Sequence, residues 1–351
     1  MQALIRTVGA FGLGLACWAT LVSSAAGQIQ AMPPSVLATQ PPVPGSAPLW
    51  QDNGLREPPL AGAAMTAPGA ALPMADAPGC SPYAAYDPPP IGLPLGGSNC
   101  WTWQLLPDNI LYKSYLAGGR EPRFGTQWVY VRNYGWLWDT TLGARVGVLR
   151  YGSTDEQWPE GWQIDAEGAA FPRLDTQHAR DLVSSDFRFG VPLTAKRGHW
   201  EFKFAYYHLS PHLGDEYLLN HPGYPRTNYI RDSLVLGLGL RPHPDWRIYG
   251  EVGYAFMIDG GALPWEMQFG VEYSPASPST IWGAPFVASN AHLRQENDFS
   301  GNVAVQAGWQ WRGRTGHLFR IGGHYFNGLS DQCQFINQFE DQLGVGIWYD
   351  Y

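Results

Sequence analysis

Residues 200–206 read Trp-Glu-Phe-Lys-Phe-Ala-Tyr and alternate without a break. Trp200, Phe202, Phe204 and Tyr206 carry the bulk, while Glu201, Lys203 and Ala205 are charged or small. Successive side chains of a strand point to opposite faces, so this is a strand with one greasy face and one polar face. A soluble sandwich turns its apolar side chains inward and its charges into water. Large apolar groups on one face and formal charges of both signs on the other suit a strand with lipid outside and a polar lumen within.

The same pattern recurs along the chain. Trp128 to Arg132 reads as a first strand. Trp138, Thr140, Leu142, Ala144, Val146 and Val148 alternate with small or polar residues. Comparable runs occupy 162–167, 186–193, 233–240, 247–254, 265–273 and 302–311, with weaker ones at 285–294 and 317–326. These make about ten to twelve segments of roughly the length a membrane strand requires. Several begin or end in Trp or Tyr, as at an interfacial girdle. The opposite faces collect Arg145, Asp165, Glu167, Asp186, Arg188, Glu201, Lys203, Arg247, Glu251, Glu266 and Glu272. Buried without partners these would be costly, so they are expected to pair across a narrow lumen. His292 and His324 fall on lumen faces and are expected to join that network. The expected fold is all-β: one transmembrane antiparallel β-barrel of about twelve strands over residues 100–351.

The first 99 residues differ in kind. Arg6 precedes the uncharged, mostly apolar stretch Val8–Val22, and Ser23-Ser24-Ala25-Ala26-Gly27 follows. That order reads as a secretory signal peptide over 1–27, the competing readings being an uncleaved anchor or a lipoprotein modified at Cys17. Residues 28–99 are rich in Pro, Ala and Gly, carry few charges and show no period. Such a segment buries too little apolar area to offset its ordering entropy, so it reads as a disordered linker, periplasmic if the barrel is in an outer membrane. Cys80 and Cys100 bracket a Pro-rich loop and either pair in an oxidising compartment or remain, with Cys333, three unrelated thiols.

At the other end, Leu343, Val345, Ile347, Tyr349 and Tyr351 form one apolar face up to the last residue. Gly346, Tyr349 and Tyr351 resemble the C-terminal sorting signal of outer-membrane barrels, which implies the outer membrane as destination. Its lipid and the barrel-assembly machinery, engaged through the Tyr351 strand, are the implied partners.

Several stretches resemble the bacterial domain of unknown function 1207 family. They are Leu106-Pro107-Asp108 with 112–118, Asp165-Ala166-Glu167-Gly168, 207–217 and 247–254. The resemblance covers roughly 101–351 and implies an outer-membrane-type protein without an assigned activity.

Chemistry is concentrated in 208–216, His-Leu-Ser-Pro-His-Leu-Gly-Asp-Glu. His208 and Ser210 are two apart and share the outward face counted from Trp200. A nucleophilic Ser needs a base within reach and a third group to orient that base. Ser210 and His208 supply the first two, and Asp215, Glu216 or a residue of a neighbouring strand the third. The His-x-Ser pair on an outward face resembles that of outer-membrane phospholipase A and lipid A deacylase. It implies a lipid-ester hydrolase, with calcium as an optional cofactor. In a second reading the cluster knits the strand exit to the next loop, with Pro211 and Gly214 as turn residues. In a third, His208, His212, Asp215 and Glu216 ligate zinc or calcium.

The formal net charge is −8 with no basic stripe, so nucleic acid is not an expected partner. No Gly-rich phosphate loop and no Cys-x-x-Cys pair occurs. The function expected on these grounds is an outer-membrane barrel, structural or a narrow conduit, with the hydrolase as the alternative.

Overall fold

The computed structural model describes residues 101–351 apart from position 156. The signal-peptide, linker and Cys80–Cys100 expectations lie outside the described residues. In chain order the strands are β1 (Trp101–Leu105), β2 (Phe124–Val131), β3 (Gly135–Ser153), β4 (Gly161–Asp175), β5 (Asp181–Arg197) and β6 (Trp200–Leu213). After helix α1 (Asp215–Asn220) come β7 (Ile230–His243), β8 (Trp246–Asp259), β9 (Trp265–Tyr273), β10 (Ala284–Arg294), β11 (Gly301–Arg312), β12 (Leu318–Leu329) and β13 (Phe339–Asp350).

All thirteen belong to one antiparallel sheet, and pairing of β13 with β2 closes it. Both β2 and β1 pair with the same edge of β3, β2 against Gly135–Leu142 and β1 against Leu149–Ser153. They therefore share one stave, and the barrel has twelve. Closure leaves the sheet without a free edge, so the backbone satisfies itself as a hydrocarbon surrounding demands.

Burial follows the alternation. On β6, Trp200, Phe202 and Phe204 are exposed, while Glu201, Lys203 and Ala205 are buried. Outward aromatics form two belts. Trp103, Trp200, Trp309, Phe319 and Tyr349 lie toward one end, and Tyr130, Trp136, Tyr254, Trp265 and Tyr325 toward the other. Between them the outer surface is apolar, with Val146, Leu193, Phe204, Leu236, Ile321 and Val345 exposed. This is the lipid-facing band of a membrane barrel.

The inward charges do pair, but mostly between adjacent or next-neighbour strands of the wall rather than across the lumen as expected, because residues 106–123 occupy its middle. Arg145 meets Asp165 at 2.6 Å, Arg188 meets Glu167 at 2.8 Å, and Arg247 meets Glu201 at 2.9 Å. Lys203 bridges to Glu251, Glu272 faces Arg247, Asp186 faces Arg120, and Glu266 faces Arg231. His292 lies 3.3 Å from Glu266, and His324 is buried beside Gln306. A buried charge is tolerated when paired and hydrogen-bonded, so these pairs share the lumen with small apolar clusters such as Leu116, Ala288, Leu318 and Phe326.

Residues 106–123 do not follow the strand pattern. They leave the shared stave between β1 and β2 and fill the lumen. The excursion is bracketed by bonds from the Leu106 amide to the Val148 carbonyl and from the Gly143 amide to the Arg123 carbonyl. Ile110, Leu111, Tyr112, Tyr115, Leu116 and Ala117 are all buried within it. Tyr115 stacks on Tyr249 with centroids 3.8 Å apart, and its hydroxyl donates to Glu251 at 2.7 Å. The Leu116 amide donates to Glu272 at 2.6 Å, and Arg247 donates to the Lys113 carbonyl at 2.8 Å. Gly237 makes room for the Tyr112 hydroxyl, which would stand 2.9 Å from any Cβ there.

At the opposite end the β12–β13 connection, 330–338, folds inward as a cap. Ser330, Cys333 and Phe335 are buried, and the Cys333 amide donates to Asp186 at 3.0 Å. Burial pushes the Cys333 thiol pKa upward, leaving it neutral. Arg120 of the plug bonds the Asp331 carbonyl of the cap, so the two lumen segments touch. Beside that contact lies a polar cavity of about 60 Å³ lined by Arg120, Arg188, Glu251, Glu266, His292 and Asp331.

Candidate functional site

The polar cluster sits at the loop-rich end of the barrel. Strand β6 runs through it to Leu213, so His208, Ser210 and His212 all lie on its outward face, and Leu209, Pro211 and Leu213 point inward. Pro211 is part of the strand and not a turn. Pairing of β6 with β7 stops at Leu209–Arg231, so the missing amide of Pro211 falls where no neighbour asks for it. Gly214 follows the strand and precedes α1.

His208 stands directly opposite Asp232 of β7 in the register, and its Nδ1 donates to Asp232 Oδ1 at 2.9 Å. Tyr206 donates to the same oxygen. Asp232 is an outward carboxylate on a face otherwise given to lipid, held by two donors. A donor role for His208 Nδ1 leaves Nε2 as the lone-pair nitrogen, the form a general base requires.

Ser210 meets a different histidine. Its Oγ is 3.5 Å from His212 Nε2, and no hydrogen bond joins it to His208. Arg226, from the loop before β7, reaches His212 Nδ1 at 3.4 Å. A guanidinium only donates, so His212 Nδ1 accepts and Nε2 carries the proton toward Ser210 Oγ. His212 is thereby unsuited to take the serine proton. The hydroxyl proton stays free to turn toward His208, its neighbour on the same face. A polar line thus runs along the outer rim through Arg226, His212, Ser210, His208, Asp232 and Tyr206.

Asp215 and Glu216 are exposed on α1 and are not joined to His208. The carboxylate that meets His208 is Asp232, which the sequence reading did not single out. Among the described residues no group of three or more His, Cys, Asp or Glu side chains converges as a metal site would.

The family described as protein of unknown function (DUF1207) matches residues 96–351. The chain belongs to the DUF1207 family. No curated protein matches it. Among solved structures it is similar to outer membrane phospholipase A from Escherichia coli, with 9% identity, a TM-score of 0.46, and 65% of this chain and 96% of that one covered. The Salmonella typhi outer membrane phospholipase dimer with bound calcium scores 0.45 at 9% identity, covering 65% and 91%. A Rhodopseudomonas blastica porin scores 0.29 at 9% identity, covering 66% and 99%. At these values the likeness says nothing of what this DUF1207 protein binds or does. Its own closed sheet, lipid-facing band and polar lumen make it an outer-membrane-type β-barrel.

Proposed function

We propose that this DUF1207 protein is a closed, structural barrel of the outer membrane, exported by the signal peptide of residues 1–27 and assembled through its Tyr351 strand. The observation that carries the reading is the lumen filled from one end by 106–123 and from the other by 330–338, the two joined through Arg120 and Asp331. A conduit needs a continuous polar path, and here the polar groups are spent on one another. The test is conductance in planar bilayers. The refolded full chain is expected to give no steady channel steps, and deletion of 107–121 is expected to open them. Steady steps from the unaltered chain would sink the closed-barrel reading.

A second reading is favoured by the His208–Asp232 hydrogen bond. A serine, a histidine in the basic tautomer and a carboxylate behind it, all at the lipid-facing rim, have the parts of an ester hydrolase. Ser210 Oγ would attack an acyl carbonyl while His208 Nε2 takes its proton. The ester C–O bond would break as His208 returns that proton to the departing glycerol oxygen. Water, deprotonated by the same nitrogen, would then cleave the acyl-serine to release the fatty acid and restore Ser210. The Ser–His contact is absent at rest, as in many unliganded sites. The measurement is fatty-acid release from phospholipid, with and without calcium. Ser210→Ala and Asp232→Asn are each expected to lower release at least about a hundredfold. Equal release by the Ser210→Ala protein would remove the reading.

A further inference from the structure

Among the described residues the basic end of the rim line has no ion-pair partner. Arg226 is exposed in the loop before β7, and its guanidinium is directed at an imidazole. Other exposed arginines have carboxylate partners, Arg132 with Asp341 and Arg197 with Glu160, but among the described residues no ion pair joins Arg226 to a carboxylate. His212 also faces outward, packed edge-on against the lipid-facing ring of Phe187 with centroids 5.4 Å apart. A cation and a hydrogen-bonding imidazole therefore stand side by side where the aromatic belt gives way to the loops. Lipid headgroups lie at that depth of a bilayer.

We infer that Arg226 and His212 form a binding site for the phosphate of a membrane lipid headgroup. The inference rests on the rim facing lipid and not on hydrolysis at Ser210. Charge complementarity selects the occupant. A guanidinium offers paired N–H donors that match phosphate oxygens, and at a membrane surface the abundant partner of that chemistry is the lipid phosphate. The apolar ring of Phe187 beneath suits the first carbons of an acyl chain. The carboxylate end of the line, Asp232, is already held by Tyr206 and His208, so it does not compete for Arg226. A phosphate seated there also places the neighbouring glycerol esters near Ser210.

The test titrates the detergent-refolded full chain with dihexanoyl phosphatidic acid, following the imidazole proton resonances of His212 by NMR. Dihexanoylglycerol and inorganic phosphate are the controls. Phosphatidic acid is expected to shift His212 saturably. Arg226→Gln is expected to bind about tenfold more weakly and Arg226→Lys to recover part of the loss. Heat-modifiable migration of each variant confirms that the barrel is folded. Equal binding by Arg226→Gln overturns the inference. So does saturation by inorganic phosphate at the same concentration, which marks a free-anion site. So does an equal response to dihexanoylglycerol, which marks apolar insertion alone. Phosphatidic acid binding without fatty-acid release leaves this site standing while the hydrolase reading falls.

Discussion

At the scale of single residues, position on the strand decides what a charge is for. Glu201 is buried between Arg247 at 2.9 Å and Arg241, whereas Asp232 faces outward between Tyr206 and His208. Removing one member of a buried pair leaves the other desolvated and alone. Glu201→Gln is accordingly expected to lower the unfolding free energy by about 3 kcal/mol, read as a shift in the urea midpoint of the refolded barrel. A midpoint unchanged from the parent would show that water reaches the pair. The pairing of the lumen charges was legible in the sequence because alternation alone assigns a face, and both signs on one face demand pairing. Asp232 was not. Its parity puts it outward, but its meeting with His208 depends on the register across the 214–229 connection. Neither strand specifies that register by itself. The signal that could have found it is an acidic side chain on a face otherwise apolar.

At the scale of elements, the strands declared themselves and the plug did not. Trp265–Tyr273 spans the residues its alternation marks, and most other strands extend a few residues beyond theirs toward the rim. The apolar–polar contrast is lost there: β4 continues through Gly168-Ala169-Ala170-Phe171, small or apolar on both faces, and β8 through Phe256-Met257-Ile258 beside a register shift, so the pattern ends before the hydrogen bonding does. Residues 106–123 mix apolar and charged side chains with no period, because they pack against side chains of many strands and not against one surface. The five residues of β1 are too few to show alternation. Tyr115 is the plug's best-anchored side chain, through its stack on Tyr249 and its bond to Glu251. Tyr115→Ala is expected to speed hydrogen exchange throughout 106–123 by about tenfold or more while β4–β9 keep their protection. Equal slowing or quickening in plug and wall would mean that they open as one unit.

For the whole molecule, the even number of staves brings β1 and the end of β13 to the same rim. That rim also carries the tight β5–β6 and β7–β8 turns, at 198–199 and 244–245. The opposite rim carries α1 and the longest hairpin connection, 214–229, with the Ser210 line beside it, while the next longest, 274–283, lies on the first rim. In outer-membrane barrels the short turns face the periplasm and the long loops the exterior. The Ser210 rim is therefore expected to face outward from the cell, with the start of β1 at the periplasmic rim. Pro222→Cys and Pro244→Cys test this in whole cells with a membrane-impermeant maleimide. The cysteine at 222 is expected to label at once, and the one at 244 only after the outer membrane is opened. The reverse order would place the Arg226–Tyr206 line against the inner leaflet. The lipid phosphate it meets would then be that of phospholipid on the periplasmic side. Either order fixes which leaflet must supply the ligand, because the line is built into the wall and the wall is held by the plug across its lumen.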